Sequence, residues 1–223
     1  MATLPPMSSA MQLLQTEKKE LRRQLLQFRA DIPTERKEEA SLYIRSELLR
    51  FIDSGSFDAV LLFSPIRGEP NVALLTDELI KRSIRVAFPI SLTDVTQLDF
   101  REVYRLDDLK TGAYGISEPD VSAPTVSCLE NALCVVPAIA YDKHGIRLGY
   151  GKGYYDRFLS SVKVTSVGVC YSCLLTDALP CDSNDIPVDL IITERGTFAP
   201  NEAYHFTSEQ NSTNGKERPF KKD

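Results

Sequence analysis

The join at 132–153 constrains this chain more than any other stretch. ALCVVPAIAY (132–141) is an unbroken apolar run, and four of the eleven glycines follow it at 145, 149, 151 and 153, ahead of a helical segment at 154–161. A run without polar alternation suits a strand buried on both faces, the situation of a central strand in a parallel sheet. Strand, glycine-rich turn and helix in that order belong to α/β architecture.

The flanking periods agree. Met11, Leu14, Leu21, Leu25 and Phe28 recur at three- and four-residue spacings between charges, which predicts an amphipathic helix over about Ser9–Ala30, stopped by Pro33. A second helix is expected over Thr34–Ile52, with Ala40, Tyr43, Ile44 and Leu48 on its apolar side and Gly55 beyond its end. Strands are expected at 59–63, 84–90, 98–104, 132–141, 164–171 and 188–193, with a helix at 71–82. At 223 residues the length suits one domain with tails. The expected fold is α/β: a layered, largely parallel sheet flanked by helices, in a single domain over 9–199 that begins with the two helices. Residues 1–8 are expected to be a flexible N-terminus, and 200–223, polar and without apolar period, a disordered tail.

Several function classes drop out. AVLLF at 59–63 is typical of the longest proline-free apolar stretches, far short of the ~18–20 residues that cross a bilayer. Basic residues number 26 against 31 acidic, net −5, so no global nucleic-acid footprint exists, although a local basic pocket for a phosphorylated ligand is compatible. Two histidines are too few for a histidine-built zinc site, and no G-x-S-x-G turn supports a serine triad. The five cysteines lack framework spacing and no secretory signal precedes them, which points to reduced thiols in the cytoplasm. Cys170-x-x-Cys173 has no second pair.

The segment YDKHGIRLGYGKGYYDRFL (141–159) carries the chemistry. Alternating glycines remove β-carbons and open positive φ, so that successive backbone N–H groups can turn toward one anion. A helix starting immediately afterwards adds its partial positive end, and Arg147 and Lys152 add full charges. This is not a P-loop, because Gly153 stands where Ser or Thr would follow the lysine. It is not the dinucleotide fingerprint either, because Tyr154 takes the place of the third glycine. The plainer alternative is a glycine-rich turn with solvated cations. The two cations, with Asp156 four residues after Lys152 for Mg²⁺, favour a nucleoside triphosphate.

Together with Lys18-x-x-Leu21-Arg22, Tyr114-Gly115-Ile116-x-Glu118-Pro119 and Asp185-Ile186-Pro187-Val188-Asp189, the block VPAIAYDKHGIRLGYGKGYYDRFL resembles the 5-formyltetrahydrofolate cyclo-ligase family, in order and spacing over about 16–195. That resemblance implies an enzyme that uses ATP and Mg²⁺ to close 5-formyltetrahydrofolate to 5,10-methenyltetrahydrofolate, with release of ADP and phosphate through a phosphorylated formyl intermediate. It implies ATP-binding roles for Lys18, Arg22, Arg147, Gly149, Gly151, Lys152, Gly153, Tyr154 and Tyr155, and metal-linked carboxylates at Asp156 and Asp185. Catalytic roles fall to Lys152, Arg147 and Glu69, and folate contacts to Glu69 and Tyr114, with Glu118 structural.

The chain departs from the family at Pro70-Asn71-Val72, Cys173 and Asn184. A monomer acting on a small molecule, with neither nucleic acid nor membrane as partner, is expected. Two rivals differ in class: a non-catalytic nucleotide- or folate-binding relative, and a sugar-phosphate isomerase on a similar layered fold, which needs no ATP.

Overall fold

A computed structural model describes residues 9–92, 97–112, 115–126 and 128–200. The chain opens with α1 (Ser9–Asp31) and α2 (Thr34–Ser54), broken by the expected proline, Pro33. Then follow β1 (Ala59–Leu61), a 3-10 turn at Ala73–Leu75, α3 (Thr76–Lys81), β2 (Arg85–Leu92) and β3 (Gln97–Val103). Short β4 (Lys110–Thr111) and β5 (Ser117–Glu118) form a two-stranded ribbon. The second half holds β6 (Ala132–Pro137), β7 (Ala140–Asp142), β8 (Arg147–Leu148), α4 (Tyr154–Ser161), β9 (Thr165–Val169), β10 (Leu175–Thr176), β11 (Leu190–Thr193) and β12 (Gly196–Phe198).

Seven strands form the main sheet in the order β12-β11-β9-β6-β1-β2-β3. The five inner strands are mutually parallel, and β3 and β12 add antiparallel edges. This is the largely parallel, helix-flanked α/β sheet that the periods imply. Ile44, Leu48 and Ile52 make a fully buried stripe on α2, which packs against β11, while Phe158 of α4 meets Phe100 of β3 at 4.8 Å between ring centroids. No helix among the described residues is long and apolar enough to cross a membrane.

Two expectations need correction. The run 132–141 is two strands. β6 takes the central place and is buried, and its pairing with β9 ends at Pro137↔Val169, where proline offers no N–H to continue the ladder. Beyond it the chain turns out of the main sheet, and β7 joins a separate sheet of order β10-β7-β8. The helix expected over 71–82 is shorter: a 3-10 turn that starts just after Pro70-Asn71-Val72 comes first, and only six residues are α-helical.

Pro89 sits mid-strand in β2 without breaking it. The Ala87 carbonyl accepts from Leu62 N–H on the β1 side, and pairing with β1 ends there, so the missing donor of Pro89, two residues on, faces no neighbouring strand. Connections from β1 run toward β2 and those from β6 run toward β9, so β1 and β6 flank the point where the winding reverses. In open α/β sheets, ligands bind beyond the carboxyl ends of the strands at such a point.

Candidate active site

A cleft of ≈ 1390 Å³ opens there. Its walls are the segment after β1 (63–69), the glycine loop 149–153, the start of α4, the 182–186 turn and the face of α1 that carries Lys18 and Arg22. Gly115, Ile116 and Ser117 border it from the ribbon; Tyr114 lies outside the described residues.

The glycine loop depends on left-handed backbone. Gly151 has φ 89°, and a β-carbon there would lie 3.4 Å from the Arg22 guanidinium. Gly153, at φ 65°, begins α4 with no side-chain cap, which leaves the first helical N–H groups available to an anion. Arg22 Nε donates to the Gly149 carbonyl at 2.7 Å, tying α1 to the loop. Lys152 is exposed at the lip, and its ammonium pairs with nothing among the described residues.

Arg147 is used differently. It is buried, its Nη1 donates to the Ile186 carbonyl at 2.6 Å, and its Nη2 is bonded to Asp156. Asp156 also accepts from Ile186 N–H at 3.1 Å. These bonds make a clasp that fastens the 185–186 turn to α4. On the same turn, Lys18 Nζ donates to Asp185 at 2.5 Å and to Asp182 at 3.1 Å. Burial is the largest influence on Lys18 and would lower its pKa, but the two carboxylates outweigh it and hold the pKa above the ordinary lysine value.

Glu69, on the segment after β1, is only 5% exposed. One oxygen accepts from Tyr150 O–H at 2.9 Å and the other from Ile66 N–H at 3.0 Å. Burial pushes its pKa up to about 7, against the opposing pull of the Ile66 N–H, Arg29, Tyr150 and Arg67. Tyr154 lies under Arg157, whose guanidinium is 5.9 Å from the ring centroid, and the buried Tyr155 hydroxyl has no hydrogen-bond partner among the described residues.

Among the described residues no three of His, Cys, Asp and Glu gather to hold a metal ion. Mg²⁺ needs no such cage when it comes with phosphates, since one or two carboxylates then suffice. Asp156 and Asp185 fit that demand: Oδ2 of Asp156 and Oδ1 of Asp185 accept no hydrogen bond within the described protein.

The structure therefore gathers Lys18, Arg22, Glu69, Arg147, Gly149, Gly151, Lys152, Gly153, Tyr154, Tyr155, Asp156 and Asp185 around one cleft. Sequence reasoning missed Asp182, Tyr150 and Arg29. Arg29 was detectable: Lys18, Arg22, Leu25 and Arg29 fall at steps of four, three and four, so the three cations share a face with a core leucine. All five cysteines are free thiols.

A cation-lined cleft at the reversal point of a parallel sheet marks the chain as an α/β enzyme of small-molecule chemistry. Residues 14–194 match the model of the 5-formyltetrahydrofolate cyclo-ligase family, and the chain belongs to that family. It is 30% identical over 189 residues to the 5-formyltetrahydrofolate cyclo-ligase of Mycolicibacterium smegmatis, covering 82% of this chain and 96% of the relative. The solution structure of the 5,10-methenyltetrahydrofolate synthetase of Aquifex aeolicus is similar with TM-score 0.74 and 32% identity, over 88% of this chain and 99% of that one. The synthetase of the same name from Mycoplasma pneumoniae is similar at TM-score 0.66 and 27% identity, over 80% and 99%.

Proposed function

We propose that the chain closes 5-formyltetrahydrofolate to 5,10-methenyltetrahydrofolate at the expense of ATP. The γ-phosphoryl group passes to the formyl oxygen as ADP leaves, the neighbouring anilino nitrogen attacks the formyl carbon and gives up its proton, and phosphate leaves with the former formyl oxygen and that proton. Positioning and charge neutralisation dominate such a reaction, and acid–base catalysis matters less. A chain with two histidines suits that demand.

The observation that carries the reading is what one cleft brings together. Phosphate-type groups (the uncapped start of α4, the glycine loop, Lys152, Lys18 and Arg22) and the buried Glu69 of the segment after β1 line the same cavity. In this reading the loop N–H groups and Lys152 take the phosphates. Arg147 keeps Asp156 and the 185–186 turn in place. Asp156 and Asp185 would hold Mg²⁺, which neutralises phosphate charge when bound. Glu69 steadies the cation that develops as the ring closes, and Tyr114 is assigned to the pterin.

The same reading has the chain act as a cytoplasmic monomer, without nucleic acid or membrane as partner. Its free thiols and acidic charge balance support that assignment. The test is methenyl absorbance from purified protein, with and without ATP and Mg²⁺. Product is expected only with both, and equal formation without ATP overturns the assignment. Ligand binding with no turnover would point to the non-catalytic relative.

A further inference from the structure

Tyr150 belongs to the glycine loop by sequence, between Gly149 and Gly151, yet its hydroxyl reaches away from the phosphate side. It donates to Glu69 at 2.9 Å and accepts from Arg29 Nη2 at 2.6 Å. Arg29 is 1% exposed, and its Nη1 is anchored on the Ala138 carbonyl at 2.9 Å, one residue past the end of β6. Arg67 lies over the Tyr150 ring at 5.5 Å from its centroid. A buried cation, a phenol and a buried carboxylate thus stand in line, joining α1, the glycine loop and the segment after β1.

We propose that Tyr150 is a positioning residue for Glu69: its hydroxyl, held by Arg29, fixes the carboxylate in its charged, aimed form from the same loop that would carry the nucleotide phosphates. This rests on the reading that Glu69 serves the folate. A buried carboxylate with one backbone donor is costly to ionise, and a second, charge-backed donor offsets part of that cost. Arg29 donates from behind and polarises the phenol O–H toward Glu69. No proton leaves Tyr150, because burial, and then the Glu69 charge, keep its phenol far above the neutral range.

The charged and titratable groups facing Glu69 are Arg29 from α1, Arg67 from its own segment and Tyr150. Tyr141 of β7, Tyr155 of α4 and Tyr171 also feel its charge, and burial holds all three phenols above their ordinary range. Near neutrality the group that titrates here is Glu69.

Tyr150→Phe keeps the ring and removes only the hydroxyl. Two readouts are taken against pH on wild type, Y150F, E69Q and the double variant: the denaturant midpoint and the initial rate of methenyl formation. Losing a hydrogen bond to a charged group should move the Glu69 titration up by about one pH unit in both readouts. The rate should then fall about tenfold below the acid limb and little above it, and in the E69Q background Y150F should move neither curve. A denaturant curve that Y150F leaves in place overturns the relay. A rate limb that stays put in an active Y150F overturns its part in the reaction. A shifted denaturant curve with no methenyl product from any variant leaves the relay standing and overturns the reading of the site. Should Y150F fail to fold, Arg29→Lys cuts the relay at its other end, and an unmoved titration there overturns the proposal equally.

Discussion

Arg147 separates a phosphate-binding arginine from one that builds the site. Its side chain is 4% exposed and that of its partner Asp156 is 24% exposed, and Asp156 also accepts the Ile186 N–H. Arg147→Ala therefore strands a partly buried carboxylate and leaves the Ile186 carbonyl without its donor. Breaking a buried pair on one side costs about 3–5 kcal/mol, and the partial exposure of Asp156 lets water in, which favours about 3. At about 2–4 °C per kcal/mol for a domain of this size, the melting temperature should fall by roughly 6–12 °C.

The assay is thermal melting of R147A, D156A and the double variant. Because each single change removes the same pair, the double variant should melt close to the worse single, a coupling of at least about 1 kcal/mol. ATP saturation kinetics on surviving R147A should show activity lost through disorder of the 185–186 turn. A melting temperature within two degrees of wild type together with a large rise in the KM for ATP would refute the clasp. Arg147 would then be a ligand-facing arginine.

Lys152→Ala should lower kcat/KM by about 10- to 150-fold, from loss of ~1.5–3 kcal/mol of charge-assisted bonding to phosphate, with no change in melting because the exposed ammonium has no partner in the described protein; wild-type kinetics would make it a solvated cation. Asp156→Asn should raise the Mg²⁺ concentration needed for half-maximal rate, because the amide keeps the shape but loses the charge; a melting shift without a Mg²⁺ shift would confine Asp156 to the clasp. Glu69 is held at about 7 against an ordinary 4.5, so the native state keeps a proton there that the unfolded chain releases, and stability should fall as pH rises through that window by at most about 3 kcal/mol. Denaturant midpoints should show that fall in wild type and not in Glu69→Gln; parallel curves would mean that Glu69 ionises normally.

The layers were legible because local period and layer burial agree. The α2 stripe, the central place of β6 and the α4 start after glycine each follow from residues close in sequence. What stayed hidden depends on pairing across long separations. Nothing local in AIAY says that the chain leaves the main sheet after Pro137, because both sheets bury the same apolar side chains. The glycine loop could be read locally as a turn suited to an anion, while the partners of Arg147 did not show. One of its bonds runs to Ile186, 39 residues away, the other to Asp156, nine away, and a buried arginine clasp has the same composition as a phosphate-facing one. Tyr150 read as part of the loop because its partners, Arg29 and Glu69, lie 121 and 81 residues off.

Those separations fall into a pattern centred on α1. Lys18 reaches Asp185 across 167 residues, Arg22 reaches Gly149 across 127, and Arg29 reaches Tyr150 across 121. Of its residues Lys18, Leu25 and Arg29 are buried; Leu25 is worth about 1.5–3 kcal/mol, and the partly buried Leu21, Leu26 and Phe28 pack against the core beside it. Apolar contacts are non-directional and can hold a helix against the core without fixing its rotation or slide. The three cations fix both, since each has a partner at its own level along the helix: the 182–185 turn, the glycine loop, then the phenol beside Glu69. Ion pairs and buried hydrogen bonds contribute little net stability but specify geometry. Here they tie the 182–185 turn, the glycine loop and the Tyr150–Glu69 pair to one helix. The first helix therefore sets the spacing of the cleft's parts, and in the proposed reading its charged face belongs to the site as much as the glycine loop does.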